Sequence, residues 1–229
     1  MKLDPDSVRT LLRTPLFSGV PEAQLPALLG CLAPRRQQYP AGHLIFAEGS
    51  PAGQIGLVLA GRVQILQEDF YGNRHIIAAL GEGELFAEAF ACAQVENLPV
   101  SVFAVQDCTV LLFSAQRILH PCQSNCDFHQ KIVLNLLQNM ARKNLNMNQK
   151  LLLLSRKTTR QKLMAYLSAQ AKAAGNSEFT IGFDRQQLAD YLGVERSAMS
   201  AELGKLAKEG FLRTKKNRFH LLREWEQEG

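Results

Sequence analysis

Between Asp184 and Arg218 the chain gathers the residue types that grip and read a nucleic acid. Asp184-Arg-Gln-Gln187 sets a carboxylate three residues ahead of a glutamine, a capping-box variant that opens a helix. Leu188-Ala-Asp-Tyr-Leu192 continues it, and Gly193 turns the chain where a positive φ costs little. A second helix is expected from about Glu195 to Lys208, with Met199, Leu203 and Leu206 as its inward stripe. Ala189 is small where the two helices must cross. Two helices joined by a short glycine-containing turn make a helix-turn-helix. Phe211 to Leu222, folded about Lys216-Asn217, reads as a hairpin wing. The outward face of the second helix carries Ser197, Ser200, Ala201 and Gly204, with Arg196 in the first turn and Lys205 further along. Recognition helices read bases from their N-terminal residues, and Arg pairs bidentately with guanine, so Arg196 is the expected base reader. Ser197 and Ser200 are placed to reach a base edge or a phosphate. Lys205, Lys215, Lys216 and Arg218 are expected phosphate contacts, and Arg185, opening the first helix, joins the DNA-binding set. Gly204 costs a helix ~1 kcal/mol relative to Ala, a cost that close approach to DNA would explain. The alternative is a winged helix that binds protein.

Charge supports the nucleic-acid reading. Residues 155–229 hold 14 Lys and Arg against 9 Asp and Glu, whereas residues 1–154 hold 12 of each. All of the net charge of +5 therefore sits in the last third, as expected of a module with an anionic partner. Other chemistries find no support. No nucleophile elbow, P-loop, dinucleotide fingerprint or zinc-hydrolase motif occurs, and the chain is read as a non-enzyme. Five cysteines (Cys31, Cys92, Cys108, Cys122, Cys126) are an odd count, expected as reduced thiols. Cys122 and Cys126, four apart, leave a redox pair open. His120 and His129 complete no zinc spacing, and no metal is expected. The longest apolar stretch, Leu151–Leu154, is far short of the ~20 residues that cross a bilayer, and no secretory signal opens the chain. A cytoplasmic protein without membrane association is expected.

The elements that must position these residues follow from periodicity. Leu3 to Leu32 suggests short helices, with turns at Pro15 and Gly19–Pro21. From Gln37 to Phe113 short apolar runs (Leu44–Phe46, Gly56–Leu59, Val63–Leu66, Ile76–Leu80, Val100–Val105, Val110–Phe113) alternate with glycines, the pattern of an all-β sandwich or barrel. Past Pro121 the period becomes helical. Val133, Leu137, Met140, Asn144, Met147, Leu151 and Leu154 form a heptad seam with Asn144 as its polar member. Apolar residues off the seam (Ile132, Leu134, Leu136, Leu145) indicate that two faces are used, one covering the barrel and one meeting a partner helix in a homodimer. Ser155–Lys157 interrupts the helix as a hinge. Thr158 to Ala174 is a helix ended by Gly175, and a strand pair is expected around Phe179–Phe183. Three regions result: residues 1–121, 122–155 and 156–229.

This order of parts resembles the cyclic-AMP receptor protein and fumarate-nitrate reductase regulator (CRP/FNR) family, from about Leu16 to Leu222. Tyr39-Pro-Ala-Gly-His-Leu-Ile-Phe-Ala-Glu-Gly49 and Gly56-Leu-Val-Leu-Ala-Gly-Arg-Val-Gln-Ile65 are similar to the first strands of a cyclic-nucleotide-binding barrel, and Arg185 to Leu212 to the family's DNA-binding signature. The resemblance implies an α+β chain: an N-terminal jelly-roll barrel that senses an effector, a long dimerisation helix and a C-terminal winged helix-turn-helix. It implies double-stranded DNA, a second copy of the chain and RNA polymerase as partners. It also implies that Leu85, Phe86, Ala87, Glu88, Leu98, Pro99, Val100 and Ser101 form the phosphate-binding cassette, and that Met147 and Asn148 meet the effector from the long helix.

The cassette departs from cyclic-AMP binders. Ala87 replaces a glycine, and Leu98-Pro-Val-Ser101 stands where those proteins carry Arg-Ser or Arg-Thr for the cyclic phosphate. A buried phosphate without a cationic partner is costly, so cyclic AMP is not expected. Leu85, Phe86, Pro99, Val100 and Met147 imply instead an apolar pocket for a small organic effector. The family's iron-sulfur branch needs a cysteine cluster near the N-terminus, where this chain offers Cys31. Haem stays open, with His43, His75 or Met147 as ligand, as do a cyclic-nucleotide-dependent regulator and a constitutive DNA binder. Ala201 stands where many relatives carry Arg, so discrimination at that base pair is expected to be weaker.

Overall fold

Asp4 caps the first helix, α1 (Pro5–Arg13), by accepting the Ser7 N–H at 2.8 Å, while Pro5 fills a position that needs no donor. The computed structural model describes residues 4–69, 71, 74–120 and 127–223, which divide into two units, Met1–Arg142 and Lys143–Gly229. Thr14 caps a 3₁₀ turn, Pro15–Phe17, and α2 (Leu25–Leu32) follows. These are the short helices expected ahead of the strands.

Eight strands come next: β1 (Arg35–Tyr39), β2 (Leu44–Phe46), β3 (Gln54–Ala60), β4 (Val63–Glu68), β5 (Arg74–Leu80), β6 (Leu85–Phe86), β7 (Ser101–Ala104) and β8 (Cys108–Ser114). They form two antiparallel four-stranded sheets, ordered β1-β8-β3-β6 and β2-β7-β4-β5. Val58, Phe86, Val110 and Leu112 of one sheet pack against Val63, Val102 and Ala104 of the other. The opposite face of the first sheet, through Ile55, Leu57, Leu59, Leu111 and Phe113, packs against Leu11, Phe17, Leu28 and Leu32 of the N-terminal helices. β3 is therefore buried on both sides, and its sequence reads as an unbroken apolar run. β1 is an edge strand of polar composition, which leaves little apolar alternation to read. Two short helices, α3 (Glu88–Cys92) and α4 (Ala115–Leu119), follow β6 and β8.

The long helix α5 (Asp127–Leu154) meets the first unit through Ile132 and Leu136. Between them in register, buried Asn135 donates from Nδ2 to the carbonyls of Leu16 and Ser18, each at 2.8 Å, so its amide is satisfied. From Ala141 to Leu152 every side chain is exposed. Of the expected seam, Leu137, Met147 and Leu151 are 63%, 65% and 59% exposed, and Val133, Met140 and Leu154 are half-buried. Leu134, Leu145 and Leu152 are exposed beside them, so the bare apolar band is broader than the heptad. Pro121, Cys122 and Cys126 lie outside the described residues.

In the second unit, α6 (Thr159–Ala174) starts with a Thr158–Gln161 capping box and ends at Gly175. Strand β9 (Glu178–Thr180), helices α7 (Arg185–Leu192) and α8 (Arg196–Lys208), and strands β10 (Leu212–Lys215) and β11 (Arg218–Leu221) complete it. The strand pair expected around Phe179–Phe183 is instead the single strand β9, whose partner is β11 in a sheet ordered β10-β11-β9. Phe179 stacks on Phe219 across that pairing. The break between α5 and α6 falls at residues 155–158, over the expected hinge, and Leu153 is already buried in the core of the second unit.

One close approach fixes the inner sheet. A Cβ on Gly56 would lie 2.0 Å from the Phe86 ring, which is itself buried and packed on Phe46. Overpacking of this kind costs ~1–3 kcal/mol. Gly56→Ala is therefore expected to lower the unfolding free energy of the first unit, measured by urea denaturation, by ~1–3 kcal/mol, whereas Gly53→Ala, with nothing within 4 Å, should lower it far less.

Candidate nucleic-acid interface

Asp184 accepts the Gln187 N–H at 2.8 Å and Gln187 returns the bond from its side chain to the Asp184 N–H at 3.0 Å, so α7 opens with a complete capping box. Leu188, Ala189 and Leu192 are fully buried, and Gly193 ends the helix at φ 59°. Lys162 of α6 donates from Nζ to the Leu192 carbonyl at 3.2 Å, closing the C-terminus of α7 with a cation. Helix α8 then packs through Met199, Leu203 and Leu206. Arg196, Ser197, Ser200, Ala201, Gly204 and Lys205 are all exposed on it, as expected. Arg196 makes no hydrogen bond or ion pair with the described residues and is open to a partner.

Arg160 of α6 holds α8 from behind. It donates from Nη1 to Glu202 at 3.4 Å and from both terminal nitrogens to Glu209, and it lies 5.4 Å over the Phe211 ring. Its hydrogen bonds hold the Glu209 carboxyl below its ordinary value, and the same contacts raise the Arg160 guanidinium. Lys205 also approaches Glu202, at 3.8 Å, but stays 67% exposed and free to reach a phosphate. Sequence reasoning missed Arg160 and Lys162 because their partners lie 30 to 49 residues away, beyond any local pattern.

The wing presents Lys215, Lys216 and Arg218, all exposed, about a turn in which Lys216 takes φ 55°. Arg185 is placed differently from these cations. It donates from Nη2 to Thr214 Oγ1 at 2.7 Å and lies 5.0 Å over the Phe219 ring, with Nη1 buried and without a partner. Burial lowers its pKa from the usual arginine value. In this structure its guanidinium braces α7 against the wing.

The effector residues expected in the first unit are mostly interior. Leu85, Phe86, Ala87, Glu88, Leu98 and Val100 are buried, Pro99 is exposed, and Ser101 accepts the Glu48 N–H at 3.0 Å. Ala87 stands at φ 62°, the left-handed region a glycine would hold without strain. Phe86 and Leu98 are buried in the core between the sheets. A groove of about 960 Å³ opens elsewhere in the unit, lined by Gln37, Tyr39, Ile45, Phe46, Gln54 and Leu112 among others and by none of the cassette residues just named. Met147 and Asn148 belong to the second unit, where Asn148 donates to Asn144 Oδ1 at 2.8 Å. His43 and His75 are exposed on the first unit. Among the described residues no group of three or more His, Cys, Asp or Glu could hold a metal ion, and no helix is long and apolar enough to cross a membrane.

Comparison with known proteins matches residues 36–125 to the cyclic nucleotide-binding domain family and residues 161–227 to the Crp-like helix-turn-helix domain family. The chain is 28% identical over 200 residues to the cyclic AMP receptor protein of Thermus thermophilus, covering 87% of this chain and 88% of that one. It is 31% identical over 78 residues to a CRP-like cAMP-activated global transcriptional regulator of Mycobacterium tuberculosis, a match that spans about a third (34%) of the relative's length. Among solved structures, the catabolite activator protein of Thermus thermophilus aligns with TM-score 0.53 and 26% identity over 91% of this chain and 93% of that one. DNR from Pseudomonas aeruginosa shares the fold, with TM-score 0.52 and 22% identity over 97% of this chain and 96% of that one.

The brace behind α8 sets a pH dependence. Because the folded Glu209 carboxyl lies below its ordinary 4.5, its contribution to stability is complete above that value and is lost as pH falls through the folded value. The melting temperature of Glu209→Gln should lie below wild type at pH 7, and the two should converge below ~pH 4. A gap that persists unchanged at acid pH would assign the effect to packing.

Proposed function

The chain belongs to the CRP/FNR family of transcription regulators, and from that premise we propose that it is an effector-responsive homodimer that binds a palindromic DNA site through its winged helix-turn-helix. The observation that carries this reading is the outward face of α8, where Arg196 stands beside Ser197 and Ser200 without a partner among the described residues, while Arg160 holds α8 from behind and Lys162 closes the end of α7. Arg196 is the base reader, and Ser197 and Ser200 reach base edges or phosphates. Lys205, Lys215, Lys216 and Arg218 neutralise phosphates, which steers the unit to DNA and makes affinity fall with salt.

The bare apolar band on α5 supports the dimer. Leu137, Met147 and Leu151, with Leu134, Leu145 and Leu152 beside them, would lie at the partner helix, and the Asn144–Asn148 pair would set register within that interface. A two-fold dimer places its recognition helices ~34 Å apart, one turn of DNA, and so calls for a palindromic operator. RNA polymerase is the further partner expected of the family, and no catalytic role is assigned.

The effector in this reading is a small organic molecule other than cyclic AMP. The segment from Gly83 to Ser101 contains no Lys or Arg, and Leu98 and Pro99 put a buried aliphatic chain and an imide at the phosphate position implied by resemblance. A cyclic phosphate brought there would lose its hydration without gaining a cation. The cyclic AMP receptor protein of Thermus thermophilus is named for its own ligand, and the residues here depart from that use. With Phe86 and Leu98 packed inward, effector binding requires the cassette to open, so the ligand acts by its differential affinity for the two states.

Two measurements test the proposal. Arg196→Ala should weaken binding to the selected operator by ~1–3 kcal/mol while changing affinity for random DNA little; equal losses on both would remove Arg196 from base reading. In thermal-shift titrations with cyclic AMP, haem and small aromatic acids in parallel, a ligand at 100-fold its dissociation constant stabilises the fold by ~2.7 kcal/mol. No shift is expected with cyclic AMP, and a clear shift with it would overturn the effector part of the reading.

A further inference from the structure

Cys31 lies in the last turn of α2, half-buried, and His129 in the first turn of α5, 3% exposed. The thiol Sγ is 3.5 Å from His129 Nδ1, and Nε2 of the same ring is 2.8 Å from the Ile118 carbonyl on α4. A carbonyl only accepts, so Nε2 carries a proton, and in the neutral form of the ring Nδ1 offers its lone pair to the Cys31 S–H. A nucleophile, a base within reach and a third group that orients the base are the arrangement that activates thiols. A histidine serving only to satisfy the Ile118 carbonyl would not need its second nitrogen turned to a sulfur.

We propose that this pair makes Cys31 a modification site, a thiol oxidised by hydroperoxides with His129 as its base. As sulfur attacks one peroxide oxygen, the thiol proton passes to His129 Nδ1 and the O–O bond breaks. The departing hydroxide or alkoxide takes that proton and leaves as water or alcohol. Sulfur is oxidised by two electrons to the sulfenic acid and the peroxide is reduced by the same two. The new oxygen sits beside His129, whose ring joins α2 to the Ile118 carbonyl of α4. The chain also carries its own controls. Cys92 is half-buried like Cys31, and Cys108 is buried; desolvation raises both thiols, with Glu88 and Asp107 adding to the effect, and neither meets an imidazole among the described residues.

The test uses the full reduced chain. It is treated with limiting hydrogen peroxide in the presence of dimedone at pH 7, and each cysteine is scored by peptide mass spectrometry. Cys31 should be trapped as the sulfenic acid roughly tenfold or more faster than Cys92 and Cys108. His129→Gln, which keeps an amide donor for the Ile118 carbonyl but removes the base, should bring Cys31 down to the rate of Cys92. Trapping of Cys31 no faster than Cys92 in the wild type would overturn the proposal, and so would an unchanged Cys31 rate in a folded His129→Gln. If that variant does not fold, the comparison of the cysteines within the wild-type chain decides alone. Neither readout involves DNA or an effector, so its failure is separate from any failure of the regulatory reading.

Discussion

Ile55, Leu57 and Leu59 leave β3 on one side and Val58 on the other, and all of them are buried, so a single strand carries two cores at once. One core closes the sandwich onto β4 and β7. The other receives α1, α2 and the first turns of α5, which is how the long helix acquires a fixed base. Each completely buried aliphatic side chain contributes ~1.5–3 kcal/mol, so this strand and its partner β8 carry a large share of the unit's stability. The space for it is set by Gly56, whose missing side chain admits the Phe86 ring. Phe86 in turn packs on Phe46 across the sandwich, so the close approach at Gly56 ties the two sheets together.

The seating of α5 explains the division of its two faces. Ile132, Asn135 and Leu136 are spent on the first unit, with the Asn135 amide tied to two carbonyls of the Leu16–Ser18 turn. Beyond Met140 none of the described residues covers the helix until Leu153 enters the second core. An exposed helical stretch with Leu145, Met147, Leu151 and Leu152 has no reason to persist alone, because helices in water gain most of their stability from packing an apolar face. That is the physical content of the dimer reading, and it follows from burial more than from the heptad.

Much of this was legible in the sequence, and the parts that were not share a cause. The capping box at Asp184, the turn at Gly193 and the inward stripe of α8 are local, set by residues within four positions of one another, and they stand where the pattern put them. β1 escaped in part because an edge strand of composition Arg-Arg-Gln-Gln-Tyr carries no core face to alternate. The strand pair around Phe179–Phe183 failed because β9 finds its partner in the wing, nearly forty residues on, and not in its neighbour. Arg160 with Glu202 and Glu209, Arg185 with Thr214, and Cys31 with His129 are joined across 29 to 98 residues, and no spacing rule reaches that far.

Arg185 and Arg196 show how the same side chain divides its labour by location. Arg185 has given its guanidinium to Thr214 and the Phe219 ring, and a half-buried cation held that way positions the wing relative to α7. Arg196, one turn past Gly193, makes no hydrogen bond or ion pair with the described residues. On the reading of α8 as the recognition helix, the rest of its outward face is short: Ser197, Ser200, Ala201 and Gly204 let the backbone approach the groove floor but reach few atoms there. A good bidentate contact is worth ~1–3 kcal/mol of discrimination, and phosphate contacts from the wing add affinity without adding sequence information. One such contact in each half-site leaves little selectivity to a single copy. Two copies held at a fixed spacing recover it, because the second Arg196 then reads its base at the position the first one sets. On that reading the sparse face of α8 and the bare face of α5 answer one requirement, since a chain that reads so little alone gains its selectivity by reading in pairs.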